Sequence, residues 1–314
     1  MGTDIYVGID IAKAHVDVWC SGDSASKRWR NDDDGIAELV AELKVRAPAL
    51  VVMEATGGYQ RRLLVALIEA KIPAVAVNPR QARDFAKALG LLEKTDQVDA
   101  RVLMVFAERI RPEVRAIADE TTRLVEEALG RRKQLVEMLV AEKNRLQQAQ
   151  AGRVRKDIAE HIKWLKKRVG ESDDDLNRRV GESPAWNAKV ELLEALDGVG
   201  RITALSLLSC VPELGTLNRK QIAKLVGLAP LARDSGRQTG KRCIWGGRAD
   251  ARASLYMATL VATRYNDVIR AFYSRLLAAG KVKKVALVAC MRKLLTIANA
   301  IIRAHLQQQT AAAA

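Results

Sequence analysis

Four acidic residues, Asp10, Glu54, Asp96 and Asp99, occupy positions from which carboxylates can converge on one point. Asp10 interrupts the alternating run IYVGIDIAK and Glu54 ends the apolar run LVVMEATG. A charge in such a setting is costly unless a cation or another partner meets it. Asp96 and Asp99 stand three residues apart in KTDQVDARVL, which reads as the start of a helix, so they share one face. If all four meet, carboxylates about 4 Å apart repel by roughly 4 kcal/mol per pair at an effective dielectric of 20. Protons or divalent cations must cancel that repulsion. The chemistry expected of the set is metal-dependent work on a phosphodiester, as in a nuclease or recombinase.

The elements that must position these residues follow from periodicity. IYVGIDIAK, VDVWCSG and KRWRND predict three strands in a meander, separated by polar turns. After them, residues 34–46, 59–70 and 79–89 have helical spacing, and LVVMEA and AVAVN read as short buried strands between them. Strand-helix alternation after a hairpin sheet predicts a mixed α/β domain whose later strands are parallel and covered on both faces. Ligand sites of such sheets lie beyond the strand ends, where Glu54 sits. GLLEKT reads as a loop, with Thr95 capping the helix that carries Asp96 and Asp99 and Pro112 closing it.

Charge divides the chain unevenly. Its 314 residues carry a formal net charge of +15, with 49% hydrophobic and 28% charged residues, ordinary for a soluble globular protein. Residues 1–118 hold 17 Lys and Arg against 17 Asp and Glu, and residues 119–188 hold 15 against 13. The last 126 residues hold 20 against 7, an excess of 13. A neutral domain with the acidic site joined to a basic domain favours a polyanionic partner. Cys20, Cys210, Cys243 and Cys290 form no CxxC pair and His15, His161 and His305 are isolated, so a zinc site and a disulfide framework are not indicated and a reducing cytoplasm is expected. The late apolar run VALVACMRKLLTIANAII holds Arg292 and Lys293 near its middle, which argues for a packed amphipathic helix and against a membrane span.

Between the two ends, the spacing of Leu124, Ala128, Leu135, Met138, Leu139 and Leu146, resumed by Ile158, Ile162, Leu165 and Val169 after AGR, predicts a helical hairpin or coiled coil. The polar, acidic stretch ESDDDLNRRVGESP, 171–184, is the expected domain boundary. Beyond it, LLEALDGVGRITALSLL has the helix-hairpin-helix pattern. Gly198 and Gly200 permit a tight turn, and the amides at the start of the second helix, beside Arg201, can face a phosphate; a plain glycine turn between packed helices is the competing reading. Trp164, Trp186 and Trp245 are dispersed, as packing residues are, and Tyr256 is expected in the core. The expected domains are therefore 1–118, 119–184 and 185–307, with a disordered tail at 308–314.

GIDIAK with Asp10, MEATG with Glu54, KTDQVDA with Asp96 and Asp99, LDGVGRITA, GLAP with RDSG, and LYMATL with AFYSRLLAAGK occur in that order from about residue 5 to about 305. Together they resemble the DEDD transposases of the insertion-sequence one-ten family, RuvC-like recombinases some of which are guided by a bridge RNA. The resemblance implies an RNase H-like (RuvC-like) first domain and assigns the four carboxylates to magnesium, with manganese as a substitute. It implies that Ser235 in RDSG is a nucleophile that becomes covalently joined to DNA. From its own sequence context Ser235 reads as a turn residue, although Arg233, Arg237, Lys241 and Arg242 beside it suit the stabilisation of a phosphorane. The implied partners are donor and target DNA, a non-coding guide RNA and further copies of the chain, a dimer assembling to a tetramer, in a bacterial, nucleoid-associated cytoplasmic setting. With Trp, Tyr and Phe numbering 5, 5 and 3, the chain has few platforms for stacking bases and many cations for phosphates.

Three rivals remain at this level. An actin-like or sugar-kinase ATPase shares the IYVGIDIAKAHVDV pattern but needs a second glycine-rich nucleotide loop, which the sequence does not show. A non-catalytic DNA-binding protein would keep the fold without its chemistry. A RuvC-like Holliday-junction nuclease would use the same carboxylates with water in place of Ser235.

Overall fold

The computed structural model describes residues 4–55, 57–91, 96–114, 120–232, 234–235, 238–240 and 242–313. The chain divides into two compact units, Met1–Ile117 and Ala118–Ala314.

Unit one is built on a five-stranded sheet in the order β3-β2-β1-β4-β5. β1 (Tyr6–Ile11), β2 (His15–Cys20) and β3 (Lys27–Arg30) form the antiparallel meander, and β4 (Leu50–Glu54) and β5 (Ala74–Val77) extend it in parallel. Side chains alternate across a strand, so each strand serves two cores. Val7, Ile9, Val51 and Met53 point to one face, where Ile36, Leu39 and Leu43 of α1 (Asp33–Arg46) and Leu63 and Leu67 of α2 (Arg61–Glu69) cover them. Tyr6, Leu50, Val52 and Val77 point to the other, under α3 (Pro79–Ala88) and α4 (Asp96–Ile110). Phe85 of α3 and Phe106 of α4 close that second core edge to face, with centroids 5.1 Å apart.

α4 lies directly on β1. A Cβ at Gly8 would stand 2.1 Å from both the Ala100 carbonyl oxygen and the Met104 amide nitrogen, so only glycine lets the helix approach the strand this closely. That approach fixes where the start of α4, and with it Asp99, sits relative to the sheet.

Unit two is helical. α5 (Glu120–Gln148) and α6 (Gly152–Gly181) form the expected hairpin, with Leu135, Ile162 and Leu165 buried. Arg155 donates to the carbonyls of Leu146 and Ala149, satisfying groups that the end of α5 leaves open. The boundary expected at 171–184 is not one: α6 runs through it, and Leu176 and Val180 enter the same core as Val190, Leu205, Leu255 and Leu294. The acidic residues there lie on the polar side of a helix whose apolar side is buried, and composition cannot separate those sides. That core joins α7 (Pro184–Glu194), α8 (Arg201–Cys210), α9 (Arg219–Val226), α10 (Ala249–Tyr265), α11 (Asp267–Ala278) and α12 (Lys283–Ala313).

The expected disordered tail is likewise corrected, since α12 continues to Ala313. Glutamine and alanine are good helix formers, and extending a packed helix avoids the cost of nucleation. Lys283–Ala311 is long and apolar enough to cross a membrane, but half of its apolar window is buried, with Ala286, Cys290, Leu294 and Ala298 at the centre of the unit. It packs as the core helix that Arg292 and Lys293 predicted. Tyr256, by contrast, lies on the outer side of α10, 37% exposed.

Candidate functional site

β1 and β4 run parallel with Gly8 beside Val52 and Ile9 beside Met53. One residue further, that register sets Asp10 alongside Glu54. Both are two residues beyond positions covered by α4, so the alternation of the strands turns both carboxylates to the α4 face. Asp10 accepts a hydrogen bond from the Ile11 amide at 3.0 Å. Across β1 on the other side, Asp10 is paired with Asp17 of β2. Asp17 is buried, and Arg28 of β3 holds it in a fork of 2.9 and 3.0 Å, with His15 Nε2 3.5 Å away. Like charges opposite one another destabilise a sheet, and the Arg28 fork offsets that here by giving Asp17 its own cation.

Asp99 lies one turn before Leu103 on α4. It lines a cleft of about 370 Å³ together with Glu54, and the far wall is α3, which contributes Arg80, Arg83 and Lys87 with Pro79, Ala82, Asp84 and Ala86. Val102 and Leu103 complete it. The structure thus brings Glu54 and Asp99 to one cleft and sets Asp10 next to Glu54. Asp96 opens α4 one turn before Asp99, and its side chain lies outside the described residues. Among the described residues no three His, Cys, Asp or Glu side chains are grouped closely enough to hold a metal ion.

In unit two, Ser235 is exposed on β6 (Asp234–Ser235), which pairs with β7 (Gln238–Thr239) in a small hairpin. Asp234 accepts from the Gly240 amide at 3.2 Å and from Arg242 Nη1 at 2.7 Å, so it ties the hairpin together and occupies Arg242. A bridge between Leu231 and Cys243 closes the base. Arg233, Arg237 and Lys241 lie outside the described residues.

The glycine turn between α7 and α8 is present. Gly198 has φ +96° and approaches the backbone of Ala262, and Gly200 precedes α8 in an extended conformation with open space beside it. Arg201 at the helix start hydrogen-bonds to Asn177 and, at 3.1 Å, to Glu194.

Sequence reasoning missed two sets of residues around the acidic site. The Asp17–Arg28 pair was hidden because a strand register is needed to show that Asp17 opposes Asp10. The cationic side of α3 had a signal, since Arg80, Arg83 and Lys87 recur at helical spacing in PRQARDFAKA, but nothing in the sequence aims that side at Glu54.

Known proteins share this sequence pattern. Residues 7–150 match a family profile for DEDD transposases described as "Transposase", and residues 190–274 match one described as "Transposase IS116/IS110/IS902 family". The chain is similar to the "Pilin gene-inverting protein" of Moraxella bovis, at 28% identity over 312 residues, 95% of each chain. It is similar to the protein of the same name from Moraxella lacunata, at 28% over 309 residues and again 95% of each. A shorter match, 31% over 85 residues, 27% of this chain and 20% of the other, is to an uncharacterized 44.8 kDa protein of insertion element IS116 from Streptomyces clavuligerus. The mixed five-stranded sheet with its flanking helices is consistent with an RNase H-like domain of the matched kind.

Proposed function

The chain belongs to the IS116/IS110/IS902 transposase family, and on that premise we propose that it recombines DNA through a metal held by Asp10, Glu54, Asp96 and Asp99 and a covalent link at Ser235. The observation that carries this reading is the cleft shared by Glu54 and Asp99, with Asp10 set next to Glu54 by the strand register.

The donor set fits a hard divalent ion. It offers carboxylate oxygens only, and magnesium is commonly held by one or two carboxylates, with phosphate oxygens and water completing its shell. Such an ion, when bound, supplies Lewis-acid polarisation of the phosphate and neutralises charge that builds up on it. The protein's own part is to hold Asp10 and Glu54 on neighbouring rigid strands and Asp99 on a helix seated against Gly8. Ser235 Oγ then bonds to phosphorus as the bond from phosphorus to a sugar oxygen breaks; the serine loses its proton and the freed sugar oxygen gains one. Attack by a sugar hydroxyl of a second strand on the phosphoserine joins the strands and restores the serine. The phosphodiester energy is kept throughout, so no external energy source is needed. Serine is a weak nucleophile near neutral pH and requires this assistance.

The carboxylates and Ser235 belong to different units, so the reaction requires the units, of one protomer or of two, to meet on one phosphorus. A site divided between protomers of a dimer or tetramer would withhold cleavage until assembly. The near-complete match to proteins named for gene inversion supports a reaction between two sites, of which inversion is one outcome. The surplus of cations and the few aromatic residues support a protein that grips backbones while a non-coding RNA reads sequence by pairing.

The test is to incubate the purified protein with supercoiled donor DNA, magnesium and any RNA that copurifies, quench, and look by mass spectrometry for DNA on Ser235. Ser235→Ala should abolish the adduct and strand transfer. Hydrolytic cutting that survives Ser235→Ala would move the chain to the water-using nucleases. An affinity for DNA that does not change with salt would count against the backbone grip.

A further inference from the structure

The cleft at Glu54 and Asp99 has walls of opposite charge. On one side stand the two carboxylates, at the end of β4 and on the first turns of α4. On the other, α3 presents Arg80, Arg83 and Lys87, which fall on one side of the helix because they are three and four residues apart. Ala82 and Ala86 are buried beneath them. Arg83 is half-buried, while Arg80 and Lys87 are exposed. Asp84 is the acid of α3 on the same cleft, exposed and 3.8 Å from Lys87. The cap of α3 is local: Asn78 accepts from the Arg80 amide at 2.9 Å, and Pro79 occupies the first turn.

We propose that Arg80, Arg83 and Lys87 form a phosphate-binding wall that holds the DNA strand being cut, with its phosphate between α3 and the carboxylates. This rests on the reading of the acidic cleft as the place of strand cleavage. A group that touches both walls must show negative charge to the guanidinium side and meet the carboxylate side through a cation. A phosphodiester with its metal has that polarity. The planar fork of arginine suits two oxygens of one phosphate, and lysine adds a point charge at the edge. At about 370 Å³ the cleft is at the small end of ligand cavities, which span about 300–1,000 Å³. That volume suits one sugar-phosphate step of a strand.

The experiment uses the full-length protein, wild type and the triple variant Arg80→Ala, Arg83→Ala, Lys87→Ala, in calcium to hold off cleavage. Binding of a fluorescent single-stranded DNA and of an RNA of the same sequence is measured across a sodium chloride series. Each phosphate contact contributes about 0.7 to the slope of log affinity against log salt on single strands, so loss of two to three contacts should lower the DNA slope by about 1.4–2.1. Arginine-to-lysine changes at 80 and 83 should restore most of it. A folded triple variant with an unchanged DNA slope, or one that loses slope on RNA only, overturns the proposal. So does a variant that changes magnesium affinity by calorimetry and melting temperature but not the DNA slope, because the wall would then serve only to neutralise the carboxylates. Failure of the wider reading is separate: wild-type protein that never forms the Ser235 adduct in magnesium defeats the cleavage mechanism, whatever the slopes show.

Discussion

The carboxylate site and the serine hairpin are held by very different amounts of structure. Asp10 and Glu54 stand on central strands of a sheet covered on both faces, and Asp99 stands on a helix pressed against β1 at Gly8. Ser235 stands on a strand of two residues, exposed, in a hairpin tied by Asp234 and a single bridge. Metal ligands must be held in place before the ion arrives, because the protein has to overcome their mutual repulsion. A nucleophile that attacks, carries a strand and gives it back has to travel. On the proposed mechanism, rigidity falls on the oxygens that would stay and not on the one that would move.

The sharpest way to break this contrast is to remove function from each side and ask whether the fold notices. Glu54→Gln or Asp10→Asn should lower strand cleavage by about a thousandfold or more, since several kcal/mol of charge stabilisation are lost. Neither should lower the melting temperature, because each also removes repulsion. Ser235→Ala should be equally inactive in strand transfer and equally stable, as judged by gel assay and calorimetry. A large loss of stability in Ser235→Ala would mean the hairpin is a packed element after all.

Gly8→Ala tests the rigid side directly. Its methyl group would collide with backbone of α4, so unit one should lose about 3 kcal/mol in chemical denaturation, at the upper end of overpacking costs. Activity should fall with it, because the helix carrying Asp99 must shift. If Gly8→Ala is silent, the close approach of α4 is not what positions that carboxylate.

Arg28→Ala should act more mildly. It leaves the buried Asp17 carboxylate opposite Asp10 without its forked partner, at a cost of about 1–2 kcal/mol after allowing for the exposed guanidinium. Adding Asp17→Asn should recover most of that, and a double variant no more stable than the single one would show that the charge of Asp17 was not the issue. The smallest effect is expected at Asp234→Ala. Its ion pair with Arg242 is solvent-exposed, so stability should change by less than about 0.5 kcal/mol. Adduct formation at Ser235 should slow about tenfold as the hairpin loses its tie, which a quenched time course would resolve.

Much of unit one was legible because its residues obey local rules. Alternation marked β1 and β2, and short apolar runs marked β4 and β5, so periodicity alone put Asp10 and Glu54 at strand positions. The hairpin of α5 and α6 was legible from its spacing. The acidic stretch at 171–184 misled, because Leu176 and Val180 are two apolar residues among many charges, and only packing shows that they carry α6 into the core. Ser235 drew attention through resemblance alone, since a serine in a glycine-bearing turn has no chemical mark of its own.

By itself the sequence determined where the strands and helices of the first unit fall, which carboxylates sit at strand positions, and where the positive charge accumulates. These depend on neighbours a few residues away, through periodicity and desolvation. Only the tertiary structure decided that β1 lies between β2 and β4, which sets Asp10 between Asp17 and Glu54, and that the cations of α3 look across a cleft at Glu54 and Asp99. Those relations join residues tens of positions apart, and they come from strand register and from helices seated on a particular face of a sheet.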